Sequence, residues 1–407
     1  MPTASYQIVD YKLPGTIDPF IVVYNGKIYS LLFKPEDYFI IANLTDKVVN
    51  TIDINDPNAL SGESRIIDFK RITGSTVVLK VIHIRTGELV VDRIEVDLDA
   101  FTAVRTEEKT IALTWISGWG DISHSIVIPP RLWIAPDTEN SYLHYVDIED
   151  ETDVSFDTGL GGFFARPSHK FIPKTDDIYM LLGVHLAGDT HKLLKVYSQT
   201  VSDLGFSTGD GSPRSQIGGL AWFYNDILIP ATSGGVVDAD NDIRILDINF
   251  STKATINVGN ITGWATNDMG GGLDFIAKKT DGGYYVLLAV NDNVSDSATK
   301  VRIYWLELDS VLSVVNSVLL SEIATETDTS FLLHSDYTGA PCSPIIDTYY
   351  KRIHIYGRVK QGGVMKGVFV DIDISDIWSN ISEFNKNLWF VRPYRIPTQL
   401  LLNVRVL

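Results

Sequence analysis

The stretch Phe20-Ile-Val-Val-Tyr24-Asn25-Gly26-Lys27-Ile-Tyr-Ser-Leu-Leu-Phe33 decides how the rest of the chain is read. Two runs of β-branched and aromatic residues flank an Asn-Gly pair. That pair supplies the positive φ angles of a type I′ turn, so the segment predicts a tight antiparallel hairpin. Its second strand has six counterparts, each a turn residue followed by an apolar run: Ser75-Thr-Val-Val-Leu-Lys80, Arg131-Leu-Trp-Ile-Ala135, Asp177-Ile-Tyr-Met-Leu-Leu182, Asp226-Ile-Leu-Ile-Pro230, Gly283-Tyr-Tyr-Val-Leu-Leu288 and Arg352-Ile-His-Ile-Tyr356. A second anchor follows each of the seven, a strand end in which a polar residue sits between two apolar ones: Asn43, Asp97, Asp147, Ser198, Asp247, Glu307 and Asp371. Both anchors repeat in the same order, and a fixed unit of this length is the mark of a repeat architecture. Gly161-Gly162, Gly218-Gly219 and Gly271-Gly272 each open a strand ahead of a hairpin, where missing side chains let backbones approach closely.

Each unit reads as four antiparallel strands, and no long helical periodicity competes with them. The pattern resembles the β-propeller superfold over almost the whole chain. That resemblance implies an all-β, seven-bladed disc, with residues 1–391 forming blades near 17–57, 60–108, 110–158, 159–210, 214–262, 264–322 and 328–391. Ser5-Tyr-Gln-Ile-Val-Asp-Tyr11 reads as an extra strand that closes the ring by completing the last blade. No individual family is matched. The Trp-Asp and Gly-His dipeptides of WD40 blades, the kelch arrangement of Gly-Gly pairs and the sialidase-type Asp box are all missing, so the fold by itself does not carry a function.

The 407 residues have a formal net charge of −17, and Lys and Arg do not cluster, which argues against nucleic acid and against an anionic membrane surface. The single cysteine, Cys342, excludes an internal disulfide framework. The first residues show neither a basic start nor an apolar run, and no stretch approaches 18 continuous apolar residues. The expected setting is a virion or the cytoplasm.

Chemistry-bearing residues are scattered. Trp115, Trp119, Trp222 and Trp264 lie near blade starts and are the candidates for stacking a sugar or peptide at the mouth of the channel, with blade-to-blade packing as the competing use. Asp238, Asp240 and Asp242 resemble the start of a calcium loop, because closely spaced carboxylates give a hard cation its oxygen ligands. The central glycine and the final Glu of such a loop are missing, so a solvated turn is the competing reading. His83, His144 and His354 alternate with apolar strand residues and are placed on sheet surfaces. No Gly-x-Ser-x-Gly elbow or paired-carboxylate signature stands out.

Residues 392–407 follow the repeat and end Leu400-Leu401-Leu402-Asn403-Val404-Arg405-Val406-Leu407, an unusually apolar terminus. Leu400, Leu401, Leu402, Val404 and Val406 are read either as a strand docked on its own blade or as an arm pairing with a neighbouring subunit. The expectation is a non-enzymatic structural or interaction protein, with a virion tail, collar or spike component as the particular form. Its partners would be protein or a second copy, bound through residues 392–407, or a surface glycan. The alternative is a carbohydrate-binding or glycoside-cleaving propeller.

Overall fold

A computed structural model describes residues 1–9, 20–43, 45–46, 48–113, 125–128, 131–134, 142–157, 164–173, 178–185, 190–195, 199–207, 221–224, 226–232, 242–248, 251–263, 271–291, 300–326, 344–348, 350–386 and 388–391. Mostly β, these residues form seven small sheets that follow one another along the chain. The first pairs Phe20–Tyr24, Lys27–Lys34, Tyr38–Asn43 and Val48–Ile52. The second pairs Ala59–Arg71, Thr76–Arg85, Glu88–Asp97 and Thr102–Ala112. The third runs from Ser125–Ile128 to Thr152–Asp157 and the fourth from Phe164–Pro173 to Thr200–Ser207. The fifth runs from Ala221–Trp222 to Thr252–Asn257. The sixth joins Gly271–Lys279, Tyr284–Asn291, Lys300–Leu308 and Val314–Ala324, and the seventh joins Ile345–Asp347, Arg352–Gln361 and Val364–Asp373. Successive antiparallel meanders of this kind are the sheet order of a β-propeller.

Three further strands tie the ends of the chain into this order. Thr3–Val9 runs antiparallel to Val364–Asp373, with Tyr6 opposite Val370, and so forms the fourth strand of the seventh sheet. After a 3-10 helix at Ser375–Asn380, Ile381–Phe384 pairs antiparallel with the first strand of the sixth sheet. Trp389–Val391 then pairs in parallel with the first strand of the seventh.

The opening hairpin has the predicted form, with φ of 48° at Asn25 and 72° at Gly26. The core explains why most strands are apolar on consecutive positions rather than alternate ones. Side chains alternate between the two faces of a strand, so a sheet buried on both faces needs apolar residues throughout. In the second sheet Val77, Leu79 and Val81 pack with Leu31, Phe33 and Ile41 of the first. On its opposite face Ile82, Ile84 and Val91 pack with Leu132, Val146 and Ile148 of the third. The sixth sheet does the same, placing Phe275, Val286 and Leu306 against the fifth sheet, and Leu287, Ile303 and Trp305 against Ile346, Ile353 and Ile355 of the seventh.

The recurrent polar residue at the end of the third strands has a local cause in the described turns, and Ser198 lies outside the described residues. Asp97 Oδ1 accepts from the amides of Asp99 and Ala100 at 3.0 and 3.1 Å, and Asp147 Oδ1 from those of Glu149 and Asp150 at 3.1 and 3.2 Å. Four residues further on, Phe101 and Glu151 adopt φ of 54° and 56° and turn the chain into the fourth strand. Asn43 and Asp247 cap their turns through the amides of Asp46 and Ser251. In the last two sheets the cap falls two residues after the repeat position, on Asp309 and Asp373. Short polar side chains take this role because they satisfy backbone donors within a turn. The Ala100 amide holds the Asp97 carboxyl below the usual carboxylate range. Replacing Asp97 or Asp147 by Ala is expected to lower stability by about 1 kcal/mol each, measured by urea unfolding. Unchanged midpoints would remove the capping explanation.

Candidate functional site

A dense polar cluster lies where the first sheet hands over to the second. Asn55-Asp56-Pro57-Asn58 forms the connecting turn, and Asp56 Oδ1 accepts from the Asn58 amide at 3.0 Å. Its other oxygen lies 2.8 Å from His83 Nε2, 2.7 Å from Arg85 Nε and 3.2 Å from Arg105 Nη2. On the far side of the ring, His83 Nδ1 is 3.1 Å from Asp92 Oδ2, an oxygen that also accepts from Arg105 Nε at 2.7 Å. Glu107 closes the cluster on Arg85 at 2.5 Å. The edge of the His83 ring meets the Phe33 ring, with centroids 6.1 Å apart and planes at 86°. Burial raises the Asp56 carboxyl, but hydrogen bonds from His83, the Asn58 amide and Arg85 outweigh it and bring it down to about 2.

This arrangement ties the linker between the first two sheets to three strands of the second sheet. His83 and Asp92 are fully buried and Asp56 is 1 % exposed, so a substrate has no access to the imidazole. Three carboxylates face two guanidiniums and one histidine, so removing one member strands a buried charge, which costs several kcal/mol.

The seventh sheet carries a related group. His354, 2 % exposed, has Nδ1 at 3.2 Å from Asp371 Oδ1 and Nε2 at 3.7 Å from Asp347 Oδ2. Arg352 is bonded to Asp371, and the Phe369 ring lies 5.4 Å from the imidazole. Burial pushes the His354 imidazole down, but the two aspartates prevail and raise it. In the third sheet His144 is pushed down to about 4 by burial, against the opposing charge of Asp153. All three histidines placed on sheet surfaces by sequence are therefore on sheet faces that other elements cover.

A second feature was not foreseen. Residues 381–391 cross the first-strand edges of three consecutive sheets. Asn385 Nδ2 donates to the Phe275 carbonyl at 2.9 Å, its amide donates to the Ile276 carbonyl at 2.9 Å, and its Oδ1 accepts from the Trp222 amide at 2.9 Å. The Lys386 amide donates to the Trp222 carbonyl, and the Tyr224 amide bonds both carboxylate oxygens of Glu383 at 3.0 and 3.1 Å. Asn385 is fully buried. Beside this seam, Asp226 accepts from Lys278 Nζ at 2.5 Å and Tyr284 Oη at 2.9 Å. These two donors keep its carboxyl low, and burial together with Asp226 pushes the Tyr284 hydroxyl above its ordinary value.

Of the sequence candidates, Trp222 ends the first strand of the fifth sheet, half-buried, with Lys386 Nζ 5.7 Å from its ring centroid. The chain's own Lys386 thus lies against the ring face proposed for stacking a ligand. Asp242 begins a strand opposite Asn257. Trp115, Trp119, Trp264, Asp238, Asp240, Leu400, Leu401, Leu402, Val404 and Val406 lie outside the described residues. Among the described residues no group of three His, Cys, Asp or Glu side chains could hold a metal ion, and no helix is long and apolar enough to cross a membrane.

No family model matches the chain, and no curated protein does. Similar solved structures include the WD40 domain of SCAP from fission yeast, at 8% identity over 91% of this chain and 98% of that one, with a TM-score of 0.37. A quinonprotein alcohol dehydrogenase-like protein from Bacteroides thetaiotaomicron is similar at 13% identity over 77% and 68%, with a TM-score of 0.36. A Synechocystis apocarotenoid oxygenase variant is similar at 10% identity over 79% and 77%, with a TM-score of 0.43.

Two outcomes check the electrostatic reading. Asp56→Ala leaves Arg85, Arg105 and His83 facing a vacancy, and is expected to cost about 3–5 kcal/mol in denaturant unfolding. A loss below about 1 kcal/mol would show that the cluster is not a clasp. For His144 the unfolded chain takes its proton near pH 6.5 and the native chain only near pH 4, so stability should fall as pH drops through that window. The loss is at most about 3 kcal/mol and should be reduced in His144→Gln, compared by thermal unfolding at pH 7 and pH 4.5.

Proposed function

We propose that this chain is a non-enzymatic structural or interaction protein built on a closed seven-bladed propeller. The observation that carries the ring is the burial of the two sheet faces that an open array would leave bare. Leu32, Ile40 and Ala42 lie on the face of the first sheet turned away from the second, and are 1 %, 5 % and 0 % exposed. His354 and Phe369 lie on the face of the seventh sheet turned away from the sixth and are equally hidden. A Cβ on Gly26, in the first hairpin, would stand 3.6 Å from the Tyr350 hydroxyl of the seventh sheet. Contact between first and last sheets is what a closed ring requires, and Thr3–Val9 supplies the strand that fastens it.

The interaction role rests on the same architecture. The buried histidines serve packing, and the first-strand edges of the last three sheets are occupied by the chain itself, so the surfaces left for a partner are the loops and the outer edges. A virion tail, collar or spike component is the particular setting we propose, from the all-β composition and the apolar arm at Leu400–Leu407. Sedimentation of the full chain and of a chain lacking residues 392–407 tests the role. The expected result is self-association or partner capture that depends on the arm. A monomer in both cases, together with binding on a glycan array, would favour the carbohydrate alternative instead.

A further inference from the structure

The outer edge of the sixth sheet is long and carries a single charged residue. Fourth strands sit at the rim, and an open edge is normally protected by charges, especially Lys, by brevity or by bulges. The second sheet's eleven-residue edge carries Arg105, Glu107, Glu108 and Lys109, and the fifth sheet's edge is short and carries Lys253. Val314–Ala324 is also eleven residues long and has no Lys, Arg or Pro. Its one charge, Glu322, is taken up by Lys300 and Arg302 of the adjoining strand at 2.7 Å each. Val311, Val314, Val315 and Leu319 are 70 %, 37 %, 59 % and 48 % exposed, and Tyr6, on the outer strand of the seventh sheet, is 46 % exposed. Bulges at Val315 and Leu320 bend the strand and leave Asn316–Leu319 as a regular stretch.

We propose that this edge accepts residues 400–407 of a second copy of the chain as an added strand. The inference rests on the interaction role and names the surface it uses. Charge supports the pairing. Residues 392–407 contain Arg392, Arg395 and Arg405 and no acidic residue, a charge of +3 on a chain of −17, which leaves −20 on residues 1–391. Two such bodies repel, and a basic apolar arm is the segment that best overcomes the repulsion. The pattern fits as well: Leu402, Val404 and Val406 alternate with Asn403 and Arg405, the period-2 spacing of an edge-added strand. Among the described residues Val315 and Leu319 keep 59 % and 48 % of their surface exposed.

The test uses the full chain with Cys342→Ser. Ser317→Cys is placed in one preparation and Asn403→Cys in another, and the two are mixed and oxidised. An interchain disulfide is expected, and Val315→Lys with Leu319→Lys should weaken self-association about ten-fold or more. Both lysines replace exposed side chains, and circular dichroism checks that the fold is kept. A crosslink that forms only within a chain carrying both cysteines overturns the proposal. If deleting residues 392–407 abolishes association while the lysine variants leave it unchanged, the arm acts elsewhere: this edge is excluded and the interaction role stands. If neither change affects association, both the edge and the arm-based role fail.

Discussion

The antiparallel pairing of Thr3–Val9 with Val364–Asp373 is the constraint on which the rest of the structure depends. Every sheet in a serial array buries one face on its predecessor and one on its successor, so only the first and last have a face to lose. Bringing residue 3 to residue 373 costs on the order of 5 kcal/mol of loop entropy if the chain between is flexible. Seven ladder positions and the packing of Ala4 and Ile8 against the sixth and seventh sheets offset that cost. The chain beyond the last sheet reinforces the same region from the other side. Asn385 binds the first strands of the fifth and sixth sheets together, and Trp389–Val391 adds to the seventh. The outer edge of the last sheet is thus completed by the start of the chain, and its inner edge by residues near the other end.

The ionic groups sit where faces must be told apart. The Asp56, His83, Asp92 and Arg105 network fixes where the linker between the first two sheets lies on the second sheet. Such a network is weak evidence for stability and better evidence for specificity. Its position supports that reading: Asp56 comes from the linker, His83, Asp92 and Arg105 come from three adjacent strands of the second sheet, and Phe33 of the first sheet covers the ring. The acidic balance of the chain has a similar structural share, since Asp97, Asp147, Asp247, Asp309 and Asp373 are spent on capping turns.

The strands were legible because consecutive apolar residues such as Tyr284-Tyr-Val-Leu-Leu288 can only be buried on both faces, and because Asn25-Gly26 fixes its own turn. The seam at 381–391 was not legible. Its pairing partners lie about a hundred residues back, and Asn385 does its work with an amide side chain that looks like any loop asparagine. The setting of the histidines was only partly legible for a related reason. Alternation with apolar residues places His83 and His354 on a sheet face, but only the neighbouring sheet determines that the face is covered, and Asp56 and Asp347 lie outside the strands that carry them. Trp222 stands out in the sequence for its place near a blade start, a criterion that cannot register Lys386 arriving from residues far along the chain.

Amide hydrogen exchange at Thr3–Val9 is the most direct measurement of the central claim. With that pairing formed, those of these amides that face Val364–Asp373 should exchange as slowly as the ladder amides of that strand, because opening one edge opens both. Exchange of residues 3–9 at the rate of a free terminus, while Val364–Asp373 stays protected, would contradict the account.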